Sequence, residues 1–180
     1  MEHHLEKARE LVEESGYDGQ PIVLLQVTDR PLLNAAAIVT QRRLESIGFA
    51  VILKAMDWST GTIVRGRKEP PYEGGWNLLF TFWSAADVSN PAVHFGLSGA
   101  GPRAWFGWPD VPELEKLVIE WARATDEPKR QRLADEIQRV AYDEVTYVPW
   151  GQWLLPTAFR KSVRDVLKFA EPIFWNVKLA

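Results

Sequence analysis

There is no cysteine among the 180 residues. Disulfides, thiolate nucleophiles and thiolate-bound metals are excluded, while the redox compartment stays open, because exported and cytosolic chains can both lack Cys. Histidine is nearly as scarce, with only His3, His4 and His94. Adjacent residues cannot turn both rings to one helix face, so a histidine metal site or a Ser-His nucleophile has little material. An excess of positive charge is missing too. With 21 Lys and Arg against 24 Asp and Glu the formal charge is -3, which gives no electrostatic reason to approach nucleic acid or an anionic membrane. The Arg65, Arg67, Lys68 group reads as a solvated helix end. No apolar run reaches membrane-spanning length, and the opening MEHHLEKARELV lacks the apolar core and cleavage site of a signal peptide. What is plentiful is tryptophan, at nine residues. Each brings a large apolar area and one donor, which suits a core and a cleft alike.

The length predicts one domain, residues 1–180, of α/β class. Leu5, Ala8, Leu11 and Val12 repeat at helical spacing before Gly16. PIVLLQV (21–27) reads as a buried strand, Pro31 opens a helix that runs to Gly48, and FAVILKAM (49–56) is the next strand. A shorter helix from Ser59 to Lys68 leads to a third strand, Leu78 to Phe82. Strand, helix, strand, helix, strand predicts a mainly parallel sheet flanked by helices. The Gly-, Pro- and aromatic-rich stretch 98–112 reads as a surface loop. Two amphipathic helices follow, one with Leu114, Leu117, Val118 and Trp121, the other with Leu133, Ile137, Val140 and Ala141. Beyond them, apolar runs cut by Pro149, Pro156 and Pro172 read as returning strands.

The third strand spills into WSAADVSNP, residues 83–91. Asp87 has two readings there: turn chemistry with Asn90 and Pro91, or a carboxylate facing a ligand. Asp57 and Asp87 each follow a predicted strand, and a pair of carboxylates at one sheet rim could hold a cation or act as acid and base, which keeps a small glycoside hydrolase as an alternative. An interaction module using exposed Trp is another. GLSGAG (96–101) is a weak match to a phosphate loop because Pro102 follows and no helix opens.

The order of the motifs resembles the C-terminal lobe of extracytoplasmic solute-binding proteins of the dipeptide and oligopeptide class, which serve ABC importers. The matching segments are KARELVEESGYDG (7–19), AAIVTQRRLESIGFAVILKAMDW (36–58), WNLLFTFWSAADVSNP (76–91), AWFGWPDVPELEKLVIEWARATD (104–126), RLADEIQRVAYDEVTYVPWGQ (132–152) and PIFWNVKLA (172–180). The resemblance implies a lobe of the periplasmic-binding-protein type II kind in a two-lobed, non-enzymatic protein, outside the cytoplasm, that encloses a peptide or related solute and works with a membrane ABC permease. It implies no cofactor. The signal and the N-terminal lobe that family members carry before KARELV do not appear in these residues. In the peptide binders an Asp four residues before a Pro pairs with the peptide's ammonium, and Asp87 stands so before Pro91. Counted from Trp83 it falls one residue late, since Ala85 and Ala86 add a position. Trp83, Ser84, Ala85 and Asp87 are the implied ligand-binding residues. An apolar patch around Trp83 is expected to need a cover, which a second copy could supply as a homodimer.

Overall fold

The computed structural model describes residues 4–169 and 171–179; His3 lies outside them. The chain divides into two compact units, Met1–Phe82 and Trp83–Ala180.

The first unit is built on a parallel sheet of order β2-β1-β3, with β1 at Ile22–Val27, β2 at Val51–Met56 and β3 at Leu78–Leu79. Val23, Leu24, Leu25 and Val27 are all buried, because a central strand covered on both faces needs apolar side chains without alternation. Its register runs from Ile22 beside Val51 to Val27 beside Met56, and Leu24 and Leu25 face Leu78 and Leu79 on the other side. Edge strand β2 leaves Ile52 exposed. The third strand is shorter than its apolar run predicts. Phe80 and Thr81 are half-buried but outside the ladder, so the pattern recorded burial rather than pairing. Asn77 extends the ladder instead: its N–H donates to the Val23 carbonyl and its Oδ1 accepts the Val23 N–H, each at 2.8 Å.

Helix α1 (Leu5–Glu14) buries none of its residues, and Leu11 of the predicted apolar face is exposed. It is tied to helix α2 (Pro31–Ser46) by Arg9, whose Nε donates to the Ser46 carbonyl at 2.9 Å. Pro31 opens α2 where its missing N–H costs nothing, and Leu33, Ala36 and Ala37 are buried. Helix α3 (Trp58–Val64) stops short of Lys68. Gly66 and Arg67 donate to the carbonyls of Ile63 and Val64, tightening the chain out of the helix.

In the second unit, helices α4 (Pro112–Arg123) and α5 (Glu127–Asp143) enclose Val111, Leu114, Ile137 and Val140, with Leu97, Leu117, Val118 and Trp121 packed around them. Asp126 caps α5 by accepting the Lys129 N–H at 2.9 Å. The predicted loop at 98–112 is closed across its base. Gly99 and Gly101 pair with Val111 and Pro109 through backbone bonds of 2.8 and 2.9 Å. Past Asp143 the apolar runs do not become the expected strands. Among the described residues the regular structure there is one antiparallel pair, β4 (Val163–Arg164) with β5 (Lys178–Leu179). A run of apolar residues makes a strand only where a neighbouring edge accepts its hydrogen bonds, and Leu154 and Trp175 are 87% and 89% exposed.

Of ten residues whose spacing predicts burial, Leu24, Val27, Ile137 and Val140 are buried. Ile38, Leu44, Val51, Leu53, Leu79 and Leu117 are half-buried.

Candidate functional site

Asp87 lies in a turn of the second unit with its side chain exposed. Oδ2 accepts the Ser84 N–H at 3.2 Å and the Ser84 hydroxyl at 3.1 Å, while the Asp87 N–H donates to the Ser84 carbonyl at 3.1 Å. Short polar side chains that bond their own backbone neighbours make such turns. Asn90 continues the pattern by accepting the Ala92 N–H at 3.1 Å. Ser84 is half-buried and Ala85 exposed. The structure therefore brings Ser84 and Asp87 into direct contact, with both bonds ending on one carboxylate oxygen.

Trp83 anchors this turn from the other side. Its ring is half-buried and meets Trp105, His94 and Tyr147 at centroid distances of 5.1, 5.5 and 6.2 Å. His94 and Tyr147 are 5.0 Å apart. Buried aromatic groups in tilted and edge-on pairs gain energy beyond their apolar area. His94 Nδ1 accepts the Gly96 N–H at 3.1 Å, so the neutral ring carries its proton on Nε2. Partial burial holds the imidazole below its usual pKa, because the charged form would lose water. The same desolvation, then the neighbouring Tyr142, raises the Tyr147 phenol. Gly96 belongs to the cluster: a methyl there would lie 2.9 Å from Tyr147 Cδ1. Trp105 and Trp108 are half-buried, whereas Trp150 and Trp153 are exposed.

Asp57 has a structural use. Its Oδ1 accepts the Thr60 N–H at 3.0 Å and its Oδ2 the Thr60 hydroxyl at 2.7 Å, capping α3. These two bonds hold its carboxyl below the usual range. Beside it, Trp58 makes contacts that sequence reasoning left unassigned. The Arg30 guanidinium carbon lies over its ring, 5.6 Å from the centroid, and Phe82 is stacked with it at 5.7 Å and 24°. The readable signal was positional, since all three follow strands of one parallel sheet. Among the described residues no group of three or more His, Cys, Asp or Glu could hold a metal ion, and no helix is long and apolar enough to cross a membrane.

The fold is similar to part of the fold of solved ABC transporter-associated periplasmic binding proteins. One solved example is DppA of Helicobacter pylori in complex with the peptide STSA, with TM-score 0.66 and 22% identity, matching 82% of this chain and 28% of that one. Another is NikA of Brucella suis in complex with Fe(III)-EDTA, with TM-score 0.62 and 20% identity, matching 96% of this chain and 37% of that one. In sequence, the chain is 34% identical over 175 residues to a probable peptide ABC transporter periplasmic-binding protein of Sinorhizobium fredii. That match takes in 97% of this chain and 33% of the relative, so the chain spans about a third of the length of the relative it matches. No family model matches the sequence. The resemblance to solute-binding proteins of the peptide class thus holds in sequence over nearly the whole chain, and the expected α/β fold with its parallel sheet holds in structure.

Proposed function

We propose that this chain is the C-terminal lobe, residues 1–180, of a two-lobed solute-binding protein that delivers peptides or a related small solute to a membrane ABC permease. The observation that carries the reading is the 34% identity sustained over 97% of the chain with a peptide transporter's binding protein. A lobe of this kind acts by closing with an N-terminal lobe around its solute, shifting an open and closed equilibrium that the permease reads. It works outside the cytoplasm and catalyses no reaction. The hydrolase alternative is weakened by Asp57, whose carboxylate is occupied as a helix cap.

Within this reading Asp87 receives the ammonium of the solute, with Trp83, Ser84 and Ala85 beside it. Both intramolecular bonds end on Oδ2 and the group is exposed, which supports a carboxylate already oriented before ligand arrives. "Related small solute" is kept because one protein of the same fold was solved with Fe(III)-EDTA. Native mass spectrometry of the intact protein tests the proposal. A peptide retained through gentle purification is the expected result, and a non-peptide solute in its place would overturn the peptide assignment.

A further inference from the structure

We propose that His94 is a positioning residue: in its neutral form it holds Trp83, and through it the turn from Ser84 to Asp87, and taking up a proton releases that turn; this rests on the proposed solute-binding reading. His94 stands just before the short helix Phe95–Leu97 and caps it, its Nδ1 accepting the Gly96 N–H at 3.1 Å. Its ring also packs on Trp83, at 5.5 Å between centroids, and on Tyr147, at 5.0 Å. Trp83 is joined directly to Ser84, whose N–H and hydroxyl both donate to Asp87 Oδ2. One side chain therefore ties the helix cap to the residue that begins the turn. The surroundings leave the ring little room to rotate. Gly96 is buried, and a methyl there would lie 3.0 Å from His94 Cε1 and 2.9 Å from Tyr147 Cδ1, while its carbonyl accepts the Thr146 hydroxyl at 2.8 Å.

A proton on Nδ1 sets one donor against another, because the Gly96 N–H already points at that nitrogen. The cap is then lost, and the imidazolium gives up water in a half-buried position. Aromatic neighbours favour a cation, but burial decides the direction: lost hydration, rather than a neighbouring charge, holds the group below its ordinary value of 6.5. Tyr147 is the titratable side chain in contact with the ring, and Tyr142 stands near that phenol. Asp87 lies on the turn that follows Trp83, and Glu115 holds Ser98 and Gly99 beyond the short helix, accepting at 3.2 and 2.7 Å. Release therefore proceeds below pH 6.5, as pH falls through the folded pKa of His94, and the turn is held above that range. Once released, Asp87 loses its fixed direction toward an ammonium, and the solute binds more weakly in acid.

The test pairs NMR with calorimetry on the intact protein, using a tetrapeptide with a free amino terminus as the probe. On titration from pH 7.5 to 5, the Trp83 indole N–H and the Ser84 amide are expected to shift with the same midpoint as the His94 ring. Peptide affinity should fall at least about fivefold between pH 7 and 5, the low end of coupling between linked sites. His94→Phe keeps a flat ring against Trp83, His94→Asn keeps an acceptor for the Gly96 N–H, and neither side chain titrates. Both variants should bind the peptide with a flat profile over this range. Trp83 and Ser84 signals that ignore the His94 midpoint, or an affinity that falls as steeply in the variants as in the parent, overturn the inference. If the parent binds the peptide equally at pH 7 and 5, the role of His94 is refuted while the peptide reading stands. If the turn follows His94 but no peptide binds at any pH, the positioning role stands and the peptide reading fails.

Discussion

Asp87 and Ser84 hold each other: one carboxylate oxygen accepts both the backbone N–H and the hydroxyl of Ser84, at 3.2 and 3.1 Å. A turn reading and a ligand reading of Asp87 are therefore compatible, since the bonds that make the turn also aim the carboxylate. Asp87→Asn keeps an acceptor and should leave thermal stability nearly unchanged. Asp87→Ala removes it and should cost about 0.5–1.5 kcal/mol, the usual net worth of an intramolecular hydrogen bond. Thermal melts of the two variants check this, and equal losses would contradict it.

The aromatic cluster predicts a pH dependence. His94 is held below its ordinary pKa by burial, so the unfolded chain binds its proton more readily than the folded one. Stability from this group is therefore full above the unfolded value of roughly 6.5 and declines as pH falls through the folded value. Melts between pH 7.5 and 5 should show the loss, and His94→Asn, which retains an acceptor for the Gly96 N–H, should flatten it. An unchanged slope in the variant would place the titrating group elsewhere.

Two substitutions probe the second unit's packing. Ile137 is fully buried, and Ile137→Ala should cost about 2–5 kcal/mol through lost contacts and the cavity left behind. Gly99→Ala should also destabilise, because the added methyl would collide with the Val111 carbonyl oxygen in the paired base of the loop. The expected cost is roughly 1–3 kcal/mol. Urea denaturation of both variants measures these values, and a neutral Gly99→Ala would mean the loop base can spread.

Much of the first unit was legible because its periodicities are strong. Four consecutive apolar residues, Ile22 to Leu25, too short for a helix of their own, read as a strand covered on both sides, and Pro31 with Gly48 bracketed the following helix. The end of β3 was not legible, since Phe80 is half-buried and Phe82 stacks on Trp58, neither of them in the strand ladder. Past Val148 the reading failed more broadly. Trp150, Leu154, Phe174 and Trp175 have the composition of a core and are exposed, because strand formation depends on a partner edge that local sequence does not specify. At the candidate site, Trp83 and Asp87 could be picked out from the residues after a buried strand. Arg30 could not, because a lone arginine beside a helix-opening proline looks like any solvated surface residue until the fold sets it over Trp58.

On the proposed reading of the chain as one lobe of two, the 180 residues alone should bind peptides weakly or not at all. A single wall cannot bury most of a ligand's surface, and water then competes for its polar groups. Calorimetry showing micromolar peptide binding by this chain alone would contradict the prediction.

The most direct measurement is calorimetry of the intact protein with a tetrapeptide and with the same peptide acetylated at its amino terminus, each repeated on Asp87→Asn. The account predicts that the parent binds the free peptide and loses affinity roughly thirtyfold or more on acetylation or on substitution, as when one partner of a desolvated charge pair is removed. In the variant, acetylation should add little further loss. Equal binding of both peptides by the parent would leave Asp87 a turn residue only, and binding of neither would contradict the assignment to peptide uptake.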